Sequence, residues 1–391
     1  MEDFKEIPVL LLTGYLGSGK TTLVNRILNN RKGIRFAVIV NDLGEVNIDA
    51  DLIQKGGVVG KKDESLVALQ NGCICCTLKN DLIEQLGEIT SRGSFDYIVI
   101  EASGICEPEP IAQTICSMPG LGYEYVKDGV PVLDCIVTVV DALRMRDEFA
   151  SGEALKRPNL DEDDLESLVI QQIEFCNIIV LNKVSEISKE ELGKLRAIVR
   201  TLQPKAKIIE CDYAEFDLDE ILDTGTFQFD DVASSATWIH EIEHHDDDDD
   251  DDDHDHHHHH HHEGEGEAEE YGIGTFVYHA RRPFDLNAFD NFVAKKWPRN
   301  VIRAKGICYF SEEFDNCYLF EQAGRQFVLK NVGLWFATMP EEELIDRLRS
   351  NPDLLRDWDD TYGDRMQKLV FIGQHLDGEF IQKELDACLF E

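Results

Sequence analysis

The chain lacks any apolar run approaching the ~20 residues that a membrane-spanning helix needs, so no transmembrane segment is expected. Basic residues are scarce: 38 Lys and Arg stand against 77 Asp and Glu, for a formal charge of −39. That sign excludes generic binding to nucleic acid or to an anionic membrane, because both need a basic footprint. The acidity is partly local, since residues 241–270 hold 16 Asp and Glu and no Lys or Arg. The opening "MEDFKEIPVLLLTGYLGSGK" has neither the basic start nor the apolar stretch of a secretory signal, and reads as a mature cytoplasmic N-terminus. A disulfide framework is also missing. Eleven cysteines, an odd number over 391 residues, are core residues, metal ligands or catalytic thiols in a reducing compartment.

What is present alternates. Short apolar runs at 7–12 (IPVLLL), 36–40 (FAVIV), 97–100 (YIVI), 135–140 (CIVTVV) and 177–182 (NIIVLN) are separated by amphipathic stretches such as 78–91, 165–175 and 188–202. This pattern predicts an α/β domain over 1–225, its mainly parallel sheet covered on both faces. Residues 226–271 contain "HHDDDDDDDDHDHHHHHHHEGEGEAEE", which has too little apolar surface for a core and is expected to be a disordered linker. From 272 to 391 a smaller α+β domain is expected. Its strands are placed at 273–280, 301–310, 317–322, 326–331 and 368–373, and its helices at 285–297 and 378–389.

The segment "GYLGSGKTT" satisfies G-x-x-x-x-G-K-[ST] after a buried strand and at the opening of a helix, the context of a phosphate-binding loop. Gly14, Gly17 and Gly19 let backbone N–H groups converge on phosphate oxygens, with Ser18, Thr21 and Thr22 lining the turn. The helix N-terminus adds its dipole. Lys20 is expected to face the β- and γ-phosphates, and the Thr21 hydroxyl to ligate Mg²⁺. Glu101, in "IVIEASG", ends a hydrophobic strand where a second Mg²⁺ carboxylate acts, and Gly104 allows a backbone N–H to approach phosphate. Asp42, Glu45 and Asp49 come after the strand at 36–40, and Asp42 joins Thr21 and Glu101 as a Mg²⁺ candidate. The segment "VLNKVSE" resembles the N-K-x-D element that reads guanine. Asn182 and Lys183 are in place, but Ser185 stands where a carboxylate is needed. A hydroxyl cannot accept two guanine donors, so GTP is expected with weakened discrimination, unless Glu186 substitutes.

Phosphate chemistry leaves "NGCICCTL" unexplained. Cys73, Cys75 and Cys76 occupy three of four positions, and such neighbours cannot all point into one core. They fit a soft-metal site, with Zn²⁺ the usual partner of thiolates; redox and structural roles are the alternatives. Cys106, Cys116, Cys135, Cys176, Cys211, Cys308, Cys317 and Cys388 lie in or near apolar stretches and are expected in the core. Trp297, Trp335 and Trp358 mark a core or a partner surface.

Taken together, "GYLGSGKTT", "NDLGEVNID", "NGCICCTL", "EASG" and "NKVS", in that order, resemble the CobW-type GTPases, metallochaperones related to nickel-inserting GTPases. "VIRAKGICYF" and "KLVFIGQHLDGEFIQKELDACL" resemble that family's C-terminal domain. The likeness is nearest to bacterial zinc-responsive members, through "SLVALQNGCICCTL", "FDYIVIEASGICEPEPIAQT" and "EYGIGTFVYHARRPF". It implies a cytoplasmic GTP hydrolase that binds zinc at Cys73, Cys75 and Cys76, with Glu45 a further candidate ligand, and delivers it to client metalloproteins. Asp42 stands where the family usually has Glu, and Ser185 departs from its base-reading pattern. A homodimer is compatible with the family.

The histidines of the acidic tract (His244, His245, His254, His256, His257, His258, His259, His260, His261 and His262) offer many weak zinc sites on a flexible chain, or serve a solubilising linker. Three other readings stay open: a metal sensor or store that uses nucleotide only for shape, an insertase for cobalt or nickel, and a small-molecule P-loop kinase. The last lacks a visible acceptor lid.

Overall fold

The computed structural model describes residues 5–29, 33–40, 66–68, 79–121, 129–149, 163–229, 232, 271–323, 326–340, 343–345, 349 and 358–390. They form two compact units, each built on its own sheet.

The first unit carries seven parallel strands: β1 (Glu6–Thr13), β2 (Phe36–Val40), β3 (Leu66–Ala68), β4 (Tyr97–Glu101), β5 (Val130–Asp141), β6 (Ile178–Asn182) and β7 (Lys207–Cys211). Their order across the sheet is β3-β2-β4-β1-β5-β6-β7. Every residue of β2, β4 and β6 is buried. A parallel sheet with both faces covered has no solvent side, which is why these strands read as unbroken apolar runs. The helices are α1 (Lys20–Asn29), α2 (Lys79–Ser91), α3 (Pro108–Ser117), α4 (Ala142–Phe149), α5 (Asp163–Glu174) and α6 (Lys189–Leu202). The expected α/β architecture is therefore present. The acidic His tract, the loop at 42–49 and the C-x-C-C segment lie outside the described residues.

The second unit is an antiparallel sheet of β8 (Ile273–Ala280), β9 (Val301–Phe310), β10 (Glu313–Ala323), β11 (Gln326–Leu334) and β12 (Gln367–Gln374), in the order β11-β10-β9-β12-β8. Helices α7 (Leu286–Lys295) and α8 (Gly378–Asp386) begin at Asp285 and Asp377, whose carboxylates accept from the N–H groups of Ala288 and Phe380. Such caps satisfy helix donors that have no partner of their own. The core is aromatic. The ring of Trp297 lies 5.5 Å from Phe292, 5.6 Å from Phe320, 5.1 Å from Phe327 and 5.5 Å from Phe371. Trp335 is buried and donates its Nε1–H to the Asn316 carbonyl. Both indoles serve the interior.

The cysteine expectation needs correcting at one position. Cys106, Cys135, Cys176, Cys211, Cys308 and Cys388 are buried and Cys317 is half-buried, but Cys116 is exposed. On α3 the inward face is made by Ile111, Ala112, Thr114 and Ile115, and the helical step carries the next residue round to the outside. Among the described residues, no helix is long and apolar enough to cross a membrane.

Candidate nucleotide-binding site

The turn between β1 and α1 holds Gly14, Gly17, Ser18 and Gly19, followed by Lys20, Thr21 and Thr22 at the helix start. Ser18 N–H closes the turn onto the Tyr15 carbonyl at 3.2 Å. Lys20, only 6% exposed, folds back over the loop and donates to the same carbonyl at 3.2 Å. The loop's cation is thereby held above its backbone rather than in solvent. Gly19 is a position that tolerates no side chain: φ is +113°, and an added Cβ would lie 2.4 Å from the Asn182 amide nitrogen. Gly104 is constrained by proximity instead, since a Cβ there would lie 2.7 Å from the Leu16 backbone nitrogen.

Parallel register brings the other candidates to the same edge. Glu101 pairs with Leu12 of β1 and with Val40 of β2 at the C-terminal ends of the strands, where open α/β sheets bind ligands. It is 1% exposed, and the Thr21 hydroxyl donates to its Oε1 at 2.9 Å. Two of the three residues named from sequence as Mg²⁺ ligands thus converge, 80 positions apart in the chain. A half-buried hydroxyl beside a buried carboxylate, both hard oxygen donors, fits a small divalent cation. The segment after β4 is fixed by Gln172 of α5, which is 1% exposed and donates to the Cys106 carbonyl at 3.0 Å.

Asp141, Asn182 and Cys211 end β5, β6 and β7 in register. Asn182 is 2% exposed and acts as a three-way tie. Its amide donates to the Ser18 carbonyl at 2.8 Å, and its Oδ1 accepts from the Ala214 N–H at 3.1 Å and from the Cys211 thiol. Burial, and secondarily the neighbouring Asp212 carboxylate, push the Cys211 thiol up to about 11, so it stays a neutral donor. Lys183 adopts φ +64° and pairs with Asp141. Ser185 is exposed and hydrogen-bonds to Asp212. Asp42, Glu45, Cys73, Cys75, Cys76 and the ten tract histidines lie outside the described residues. Among the described residues no three His, Cys, Asp or Glu side chains gather as a metal site.

Sequence reasoning passed over Asp141, Arg144 and Asp212. Asp141 carries the same signal that pointed to Glu101, a carboxylate closing an apolar run. The Arg144 guanidinium lies 3.8 Å from the centroid of Tyr15 in the phosphate loop, a contact with no local sequence signal. Asp212 comes directly after β7, a strand whose apolar run is only two residues long.

These elements define a P-loop nucleotide-binding protein. The family "CobW/HypB/UreG, nucleotide-binding domain" matches residues 8–210, and "Cobalamin synthesis protein cobW C-terminal domain" matches residues 273–389. The chain belongs to the CobW family of P-loop GTPases. It is 35% identical to "Zinc-regulated GTPase metalloprotein activator 1" of Dictyostelium discoideum, over 100% of this chain and 81% of that protein. It is 32% identical to "Zinc chaperone CobW" of Pseudomonas aeruginosa over 57% of this chain and 61% of the relative. A third relative, "Zinc-regulated GTPase metalloprotein activator 1" of Schizosaccharomyces pombe, is 38% identical over 56% of this chain and 50% of its own length.

Proposed function

We propose that this chain hydrolyses GTP and uses the nucleotide cycle to bind zinc at Cys73, Cys75 and Cys76 and pass it to client metalloproteins in the cytoplasm. The observation that carries this reading is the convergence of Thr21 and Glu101 beside the P-loop, in a member of the CobW family that also bears C-x-C-C. The boundaries at 225 and 272 are kept as those of the nucleotide domain and the C-terminal domain.

Each residue has a task in this scheme. The backbone N–H groups from Gly14 to Thr22 hold the phosphates, and Lys20 neutralises charge that grows on them as the γ-phosphate leaves. Thr21 and Glu101, with Asp42, would hold Mg²⁺, which would supply positive charge to offset that of the phosphates. Water attacks the γ-phosphorus, the bond to the bridging oxygen breaks, and GDP and phosphate depart. The strand ends that carry these groups also lead into the segments at 42–49 and 69–78, so γ-phosphate contacts bias the zinc segment. Zinc is cargo here. Its capture by thiols releases protons, so affinity falls steeply as pH drops. The tract from 244 to 262 raises the local zinc concentration through weak sites.

The test is a zinc titration of the full chain, with and without a non-hydrolysable GTP analogue. Substituting Cys73, Cys75 and Cys76 by Ser should remove a tight, nucleotide-coupled site. Deleting residues 244–262 should remove weak sites only. A tight site that survives the cysteine changes and vanishes with the tract would overturn the assignment.

A further inference from the structure

The Ser185 departure has a structural counterpart on the neighbouring strand. Strands β6 and β7 end side by side, Asn182 opposite Cys211, and the chain leaves both in parallel. The next turns therefore stack, and Asp212 comes to Ser185 across 27 residues. Its Oδ1 accepts from the Ser185 backbone N–H at 3.0 Å and from the Ser185 hydroxyl at 2.9 Å. Oδ2 takes no hydrogen bond from the described residues. The Asp212 turn is also tied to the phosphate loop, because Asn182 accepts from Ala214 N–H while donating to the Ser18 carbonyl. Tyr213 and Ala214 hold φ values of +52° and +55°, two successive residues in the left-handed region that side chains disfavour. That unusual backbone is what turns Asp212 back toward β6. Glu186, the neighbouring carboxylate, shares no hydrogen bond with this network among the described residues.

We propose that Asp212, positioned by Ser185, reads the guanine edge, so the carboxylate absent from N-K-V-S is delivered from the strand beside it. This rests on the nucleotide reading above. Guanine presents adjacent N1–H and N2–H donors. A carboxylate has about four acceptor positions, and Ser185 uses two of them on Oδ1. The remaining positions meet the two guanine donors. Adenine offers no donor at N1 and no amino group at C2, so it would leave the carboxylate desolvated and unmatched. Ser185 is then a positioning residue whose hydroxyl supports a carboxylate it does not carry. The chain keeps discrimination for GTP in full rather than in weakened form.

The test is equilibrium competition between GTP, XTP and ATP on the full chain. Xanthine carries an acceptor where guanine carries the 2-amino group. Asp212→Asn places an amide donor there, so GTP affinity should fall roughly 10- to 100-fold and XTP should become preferred. Ser185→Asp should weaken GTP binding by setting two carboxylates against each other. The double exchange Ser185→Asp with Asp212→Ser should recover binding by rebuilding the pair in reverse. Ser185→Ala should lower affinity for GTP without changing that for tripolyphosphate, and it decides the matter if the Asp212 variant fails to fold. An Asp212→Asn chain that binds GTP over XTP as the parent does, or a Ser185→Ala chain with parental GTP affinity, overturns the assignment alone. A parent that binds no nucleoside triphosphate overturns the nucleotide reading with it.

Discussion

The two ends of one parallel sheet solve recognition differently. At β1 the phosphate loop is nine consecutive residues, and it is closed by contacts within itself: Lys20 reaches back only five positions to Tyr15. At β6 and β7 the contacts join Asn182 to Ala214 and Ser185 to Asp212, 32 and 27 positions apart. Phosphate is held by backbone, which any segment with the right glycines offers. A base edge is matched by side chains, and these can be contributed by whichever strand end lies closest. The first kind of site is written contiguously; the second exists only after the strands are in register. Asn182 couples the two ends through the Ser18 carbonyl.

Lys20→Ala should separate the ends most sharply. It removes the cation that faces the phosphates and leaves the β6–β7 network untouched, so turnover should fall on the order of 100-fold or more. Phosphate release under saturating GTP measures the loss, and an unchanged far-UV spectrum excludes unfolding. Parental turnover would remove the phosphate loop from the mechanism.

Gly19→Ala should instead damage both ends. The methyl group would meet the Asn182 amide at 2.4 Å on a backbone of φ +113°, neither of which an alanine tolerates. Stability should drop by about 1–3 kcal/mol, and GTP affinity by about tenfold for each ~1.4 kcal/mol lost from the site. Preference between GTP and XTP should narrow as well, because Asn182 must move. Denaturant titration and competition binding read the two effects. Weaker phosphate binding with base preference intact would show the ends to be independent.

The smallest effect is expected at the opposite ends of the strands, where β2 and β4 begin. The Arg35 guanidinium and backbone N–H donate to Asp96, holding its carboxyl at about 2, below the ordinary 3.8. A lowered folded-state value means the pair's stabilisation is present above about pH 4 and is lost as pH falls through about 2. The pair is largely exposed, so solvent screening keeps its contribution small. Asp96→Asn should lower the neutral-pH melting temperature slightly and flatten that part of the acid limb, with turnover unchanged. A loss of turnover would mean that the two ends of the strands are coupled.

Burial decides how much was legible. The central strands β1, β2, β4, β5 and β6 appear in sequence as apolar runs because both faces are covered. Strand β7 does not, since "KIIEC" is an edge strand with Lys207 and Glu210 exposed, and charged residues are common on edges. With β7 hidden, the turn after it is hidden too, so Asp212 gives no signal and Ser185 looks like an unfilled position. Helix α3 is obscured by "PEPIAQTICS", where prolines read as breakers although the first occupies the helix start. In the second unit the expected strands are present, but β10 begins at Glu313 rather than at Cys317, because three of its first four residues are polar and none is buried. Lys20, Thr21 and Glu101 are legible together because a loop motif and a strand-end carboxylate are each local signals.

The aromatic packing of the second unit also decides what light can report. Of the four tryptophans, Trp297, Trp335 and Trp358 fall among the described residues, and none of these three belongs to a strand or helix of the seven-stranded unit. Trp297 and Trp335 pack into the core of the five-stranded unit. Emission from Trp297 and Trp335 during denaturation therefore reports on the C-terminal sheet. Loss of the nucleotide fold is not reported by those two indoles, and tyrosine emission or a fluorescent guanine nucleotide follows it instead. A melting curve carried by Trp297 and Trp335 would describe the five-stranded unit alone.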